Sequence, residues 1–282
     1  MTGWIQLVVN GILLGGFYAL LGVGMTMIFG IVGLTNLAHG EFVILGAYGS
    51  TILAGWLGVE PLLSLIVTVP VMFLFGYVLQ SGLFHQAMKK GPEPALLVTF
   101  GVSIILQDVF LLLFSADTKH LAAAYSLETL HIGPVDISLL NVVLFCVSAV
   151  FLAGLAVFLS KTNMGRAIRA VSDDPDAGQL AGIPVRRVYA VAMGIAMSMA
   201  AVAGLCVSLK WTFSPSSGGG YLLIAFIVVV IGGMGSIPGT FLVGIAFGVA
   251  QVVGGANNGL LISYIALLVM LTVRPNGLLG RK

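Results

Sequence analysis

The sequence predicts an all-α, polytopic transmembrane bundle of eight to nine spans, and three observations carry that prediction. Hydrophobic residues make up 59% of the 282-residue chain and charged residues 8%, against roughly 25% charged in ordinary soluble proteins. Two long runs, residues 1–38 and 211–273, hold no charged side chain. The basic residues gather at a few breaks between apolar runs. In lipid only helices or closed barrels satisfy every backbone group, and unbroken apolar runs of this length select helices. The whole chain, 1–282, reads as one membrane domain with a single substantial polar loop at 161–187.

The spans follow in order, at ~20 residues each. Ile5 to Phe29 is the first. No basic n-region precedes it, so it is expected to stay as a span and not act as a signal peptide. A glycine-rich break follows, from Gly30 to Glu41, and then a second span from Phe42 to Leu57. Leu62–Phe84 and Ala95–Ser115 come next, separated by Lys89 and Lys90. A polar loop from Ala116 to Ser138 leads to Leu139–Ser160. The polar loop then gives way to Val188–Leu209. The last uncharged run is long enough for three spans, punctuated at 214–220, 232–239 and 254–259. The two cysteines, Cys146 and Cys206, fall in apolar runs and read as small core residues.

Orientation is read from Lys and Arg. Placing Lys89/Lys90, the polar loop and the C-terminus in the cytoplasm puts 10 of the 12 basic residues on that side. Nothing charged anchors residue 1, so its side stays open. A weak internal repeat is also visible. Gly30-x-x-Gly33 with Gly40-Glu-Phe42 resembles Gly232-Gly-x-Gly235 with Gly239-Thr-Phe241. Paired glycine breaks of this kind point to a central transport path, or equally to two tight helix-packing sites.

Ionisable groups inside the predicted membrane region are few and costly unless paired or wet. Asn36, His39 and Glu41 are close enough in sequence to make one polar cluster at the first break. It would line or gate a path, knot the break together by hydrogen bonds, or face water at an interface. Asp108 reads as a packing or interfacial carboxylate. There is no phosphate-cradling loop, paired-cysteine motif or His-Glu-x-x-His, no metal site, and no soluble loop large enough for an ATPase. The sequence therefore predicts no enzyme, no nucleic-acid partner, and any ATP chemistry on another chain.

The polar loop has more structure than a basic tether needs. Asn163 to Val171 is expected to form a short helix with Arg166 and Arg169 on one face. Asp174-Pro175 offers an N-cap followed by proline at the first helical position. Gly182 is a natural stop, and Pro184 is expected to prevent the helix from resuming. Two short helices with a basic face and small residues suit docking into a partner's groove.

Three stretches together resemble the permease subunits of branched-chain amino acid type ABC importers. They are Gly16-Phe-Tyr18-Ala19-Leu20 with Gly30-x-x-Gly33-x-x-Asn36-x-Ala38-His39-Gly40-Glu41 and Gly46-Ala-Tyr48; Thr162-x-x-Gly165-Arg166-Ala167-x-Arg169-Ala170 with Asp174-Pro175-x-Ala177 and Gly182-Ile183; and Ala225-Phe226 with Gly232-Gly-Met-Gly235-Ser236-x-x-Gly239, closing on Arg274-Pro275-x-Gly277-Leu278-x-Gly280. They cover nearly the whole chain in order.

The resemblance implies a multi-pass protein of a bacterial inner membrane, with its C-terminus in the cytoplasm. Its partners would be a second, similar permease in a heterodimer, two cytoplasmic ATPase subunits that bind ATP and Mg, and a periplasmic or lipid-anchored substrate-binding protein. It implies that Thr162, Gly165, Arg166, Arg169, Ala170, Asp174, Ala177 and Gly182 belong to the segment that couples to the ATPases. It also implies a translocation path near Asn36, His39, Glu41 and Phe226, for branched-chain or other hydrophobic amino acids. The competing reading is a stand-alone proton-coupled transporter or channel that uses His39 and Glu41.

Overall fold

The computed structural model describes residues 2–126, 128–132, 135–274 and 277–280. The C-terminal Arg281 and Lys282, and Pro275 in the closing motif, lie outside the described residues. In chain order the helices are α1 Thr2–Met27, extended by a π turn Ile28–Val32; α2 His39–Leu57; α3 Leu65–Leu79, continued through Gln80–Phe84 into α4 His85–Met88; α5 Pro92–Phe114; α6 Leu139–Lys161; α7 Asn163–Asp173; α8 Pro175–Leu180; α9 Val185–Lys210; α10 Gly218–Gly232; and α11 Ile237–Val273. The loop after α5 carries one addition to the all-helical expectation, a small antiparallel hairpin of β1 Thr129–Ile132 and β2 Val135–Ser138.

Among the described residues, eight helical stretches are long and apolar enough to cross a membrane, and the shorter apolar helix Asn258–Val273 adds a ninth leg. That leg exists because α11 turns back on itself. Gly255 takes φ 69° and ψ 179°, which L side chains rarely adopt, and Gly259 then lies against Gln251.

Contacts across the bundle fix direction. Asn10 near the start of α1 reaches the Asp136 carbonyl in the hairpin loop, while Ser172 of α7 reaches Gly30 at its other end. The N-terminus and the α7–α8 segment thus sit at opposite ends, termed the far and near ends below. The closing segment returns to the near end, where Leu278 and Leu279 N–H donate to Ile231 and Gly232 carbonyls.

The core is α9 and α1. The most apolar stretches of these two helices are 89% and 78% buried, against 17% to 22% for those of α3, α5 and α6. Small residues decide which helices approach closely. Gly11, Gly15, Ala19 and Gly22 of α1 meet Val249, Ile245, Gly244 and Thr240 of α11, running antiparallel. Where hydrocarbon surrounds both helices, burial from water does not favour their association, so this close packing does the work. A buried bond, Thr26 Oγ1 to Thr240 Oγ1 at 2.7 Å, adds a polar clasp.

Of the two readings of the paired glycine breaks, tight helix packing is what the structure shows: Gly30 of the first touches Gly235 of the second, backbone to backbone. A further correspondence lies between the linkers 33–38 and 211–217. The first follows α1 at the near end and climbs back into the bundle before α2 begins. The second follows α9 at the far end and dives inward, burying Phe213, before α10 begins. This is an inverted pair of broken helices. One smaller reading also changes: Cys146 is exposed and only Cys206 is buried. Of the two readings of Asp108 the packing one falls away, because the residue is exposed on α5.

Gly244→Val tests the α1–α11 contact. A Cβ there overlaps the Ala19 backbone, and overpacking of this kind costs about 1–3 kcal/mol. A lowered Tm of the purified protein in detergent is expected. Gly154→Val, where a Cβ meets nothing within 4 Å, leaves Tm unchanged.

Candidate functional site

Two places gather the residues singled out in the sequence, and the α1–α2 break links them. The first is the crossing of α2 and α10. His39 opens α2 next to Leu21, eleven residues or about 16 Å from the near-end terminus at Val32. Gly218 opens α10 about 21 Å before its own near-end terminus. Gly40 and Gly218 meet so closely that a Cβ on Gly40 would overlap the Gly218 carbonyl. Two half-helices therefore start side by side deep in the bundle and run apart, α2 to the far end and α10 to the near end.

Asn36, His39 and Glu41 are 1%, 1% and 4% exposed, which removes the reading as a water-facing turn. They do not form one cluster, because positions i and i+2 on a helix face different ways. The His39 ring lies between α1 and α9, close to Gly24. Its Nε2 is 3.3 Å from the Leu21 carbonyl oxygen; a carbonyl only accepts, so Nε2 carries the proton and donates. Asn36 Oδ1 accepts from Ala38 N–H at 3.1 Å and holds the turn into α2. The buried Thr99 hydroxyl of α5 accepts from Leu37 N–H at 3.2 Å. Glu41 instead points across the crossing, its carboxyl against Gly218. That places it at the positive end of the α10 dipole, where a carboxylate is favoured. Glu41 Oε2, His39 Nδ1 and Asn36 Nδ2 have no hydrogen-bond partner, an unusual density of unmet polar atoms. Phe226 lies eight residues further along α10, half-buried and away from these three. Among the described residues no group of His, Cys, Asp and Glu is placed to hold a metal ion.

The second place is the near end. Thr162 caps α7, its Oγ1 accepting from Gly165 N–H at 2.9 Å. Gly165, Ile168 and Val171 form the buried stripe of α7, and Gly165 lets it approach the Phe158 and Leu159 carbonyls at the end of α6. Asp174 Oδ1 accepts from Asp176 and Ala177 N–H at 2.9 and 3.0 Å and caps α8. Gly182, at φ 80°, closes α8. Ala170 and Ala177 are exposed beside the caps.

The two arginines part company. Arg166 is exposed and donates to Asn163, one turn away. Arg169 donates to the Leu159 carbonyl and caps α6. Pro184 does not prevent resumption. It caps α9, which starts at Val185, and Arg187 and Val188 N–H donate to its carbonyl. Proline is tolerated at that position because the first turn lacks partners for its N–H groups anyway. Arg186 is thereby in α9, where it donates to the Ser81 carbonyl at 2.8 Å.

Ser172 was not singled out by the sequence, and nothing in its neighbours marks it. Its hydroxyl donates to the Gly30 carbonyl oxygen at 2.8 Å. Gly30 in turn touches Gly235 in the α10–α11 turn. One serine thus ties α7 to the turn that leads into linker 33–38 and to the end of α10. A cavity of about 610 Å³ opens there between Gly30, Arg169, Ser172, Ser236 and Leu279.

Comparison with known proteins adds the following. The family described as "Branched-chain amino acid transport system / permease component" matches residues 7–273. The branched-chain amino acid permease protein BraD of Pseudomonas aeruginosa is 31% identical, covering 99% of this chain and 96% of its own length. LivH of Escherichia coli is 29% identical over the same shares. The ribose import permease RbsC of Haemophilus influenzae is 27% identical, covering 94% and 83%. PsaBC of Streptococcus pneumoniae, solved with a Fab, shares the fold at a TM-score of 0.54 and 11% identity, covering 96% of this chain and 93% of its own.

Thr162→Ala and Asp174→Ala each remove a cap worth about 1 kcal/mol. Hydrogen exchange of amides in 163–180 is expected to speed up roughly fivefold, with exchange in α9 unchanged.

Proposed function

The chain belongs to the family of permease components of branched-chain amino acid transport systems, and from that premise we propose how it works. It forms half of the path of an ATP-driven importer for branched-chain or other hydrophobic amino acids. A second, similar permease supplies the other half. Two ATPase subunits, which bind ATP and Mg, dock on the near end, and a periplasmic or lipid-anchored binding protein delivers substrate to the far end. This chain carries no catalytic step of its own. Its near end and C-terminus face the cytoplasm of a bacterial inner membrane.

One observation supports this reading above the others: a capped pair of short helices is anchored to the broken α1–α2 turn. Thr162 and Asp174 start the two helices, Gly165 seats the first on α6, and Gly182 ends the second. The exposed faces of Arg166, Ala170 and Ala177 are left for the ATPases. Movement of α7 pulls on Gly30 through Ser172, and Gly30 leads into linker 33–38 and the α2–α10 crossing. Asn36 and His39 hold that break in shape, while Glu41 at the crossing and Phe226 further along α10 border the path. The stand-alone proton-coupled alternative has no support in the family relationship.

Affinity purification of the tagged protein from its native membrane, followed by mass spectrometry, tests this. Two ATPase subunits and a second permease are the expected companions; a homo-oligomer without any ATPase contradicts the proposal. Arg166→Glu inverts an exposed docking charge that caps nothing, so the recovered ATPase should fall at least fivefold at unchanged permease expression. The same change at Arg169 also breaks the α6 cap, and lower expression should accompany the loss.

A further inference from the structure

We propose that the far-end loop 116–126 is a contact surface for the substrate-binding protein, turning on Ser115 and joined by backbone pairing to the linker that starts α10. The inference rests on the importer reading and adds to it the element of this chain that receives one partner, and the route by which that partner acts.

The loop begins at a strained residue. α5 ends at Phe114, and Ser115 then takes φ 57° and ψ −172°. Among the described residues it is the only one other than glycine with a positive φ. That conformation belongs almost wholly to glycine, and in any other residue it persists only where the surroundings impose it, as at switch segments. Here the surroundings are aromatic. Phe114 stacks on Tyr48 of α2 at 4.0 Å, and Tyr48 meets Phe213 of linker 211–217 at 4.9 Å, edge-on. Phe213 is 1% exposed, so the base of the loop and the linker share one packed cluster.

Past the serine the loop is fastened to the same linker. Lys119 N–H donates to the Phe213 carbonyl at 2.8 Å, and Phe213 N–H donates to the Lys119 carbonyl at 3.0 Å. Leu121 N–H donates to the Ser208 carbonyl of α9 at 2.8 Å. A two-way backbone pair has no side-chain slack, so a push on the loop reaches the linker. The linker leads to Gly218, where α10 starts against Gly40. The near end is built the same way: Ser172 ties α7 to Gly30, which leads through linker 33–38 to the same crossing. Each end has one exposed element fastened to one linker, and both linkers finish at the crossing.

Charge indicates what the loop meets. Glu60, Asp117, Glu128 and Asp136 stand exposed at this end, while Lys119 and Lys210 are half-buried. Lys210 is turned inward, donating to Asn141 and lying over the Trp211 ring. Such a surface repels anionic lipid headgroups and fits a soluble protein that presents a basic face.

The test uses the assembled complex in nanodiscs with its purified substrate-binding protein and leucine, and reads ATP hydrolysis as the binding protein is titrated in. Asp117→Lys should raise the half-stimulating concentration at least fivefold, and added salt should weaken the wild type more than this variant. Ser115→Gly places a residue at ease with this φ, so Tm should hold or rise. The loosened turn should nonetheless yield under load, and maximal stimulation should fall at least threefold. A merely structural turn would not give a protein that is as stable or more so and yet responds less.

Asp117→Lys with a half-stimulating concentration within twofold of the wild type, or Ser115→Gly with full stimulation, overturns the inference. Wild-type stimulation beside such unaffected variants removes the loop alone. A wild-type complex without ATPase subunits, or one whose hydrolysis ignores the binding protein, removes the importer reading and the inference with it.

Discussion

Backbone-to-backbone contact between helices is the constraint on which the rest of this structure depends. Surrounded by apolar material, helices gain little from hiding hydrophobic side chains, so association falls to close packing and a few hydrogen bonds. Glycines at the helix crossings serve that need. They let α1 lie along α11, let Gly30 meet Gly235, and let α2 and α10 begin against each other at Gly40 and Gly218. Each of those contacts has no room for a side chain. The broken helices exist because of the last contact: two helix starts cannot meet inside a bundle unless both chains reach that depth without helix.

Polar groups follow from that geometry. Linkers 33–38 and 211–217 expose backbone donors and acceptors at membrane depth, where each must find a partner. Thr99 and Asn36 serve the first linker: the Thr99 hydroxyl accepts from Leu37 N–H and lies within reach of the Thr35 carbonyl, and Asn36 Oδ1 accepts from Ala38 N–H. Lys119 pairs with Phe213 of the second, N–H to carbonyl both ways, at 2.8 and 3.0 Å. Glu41 holds no linker in place; it keeps an unmet oxygen and faces the start of α10. With His39 Nδ1 and Asn36 Nδ2 also unmet, the crossing and the break beside it gather unpaired polar atoms inside the bundle. The link from that point to solution runs through the first break to Gly30, and from Gly30 to Ser172 on α7.

Much of this was legible in the sequence, for identifiable reasons. Span lengths and breaks follow from apolar runs and glycine. The cap and stop of α8 follow from Asp174-Pro175 and Gly182, because capping is local chemistry. What failed was non-local. Asn36, His39 and Glu41 looked like one cluster by spacing, but the start of α2 turns them onto three neighbours. The glycine breaks at 30–33 and 232–235 looked alike and lie against each other, Gly30 on Gly235, since similar glycine patterns serve both sides of a tight contact. Pro184 reads as a stop and acts as a start, depending on whether a helix lies behind it or ahead. Arg166 and Arg169 share a spacing but not a role, because the end of α6 takes one of them. Ser172 carried no signal, as its partner is 142 residues away.

The account turns on Ser172 as the tie between the docking helices and the α1–α2 break. The most direct measurement is the number of leucine molecules imported per ATP hydrolysed, in proteoliposomes holding the complex with Ser172→Ala. Losing one hydrogen bond costs about 1 kcal/mol, too little to unfold the protein. ATP hydrolysis should therefore persist at its usual rate, while leucine imported per ATP falls roughly fivefold. An unchanged ratio would contradict the account and leave Ser172 as a local fastening with no part in transport.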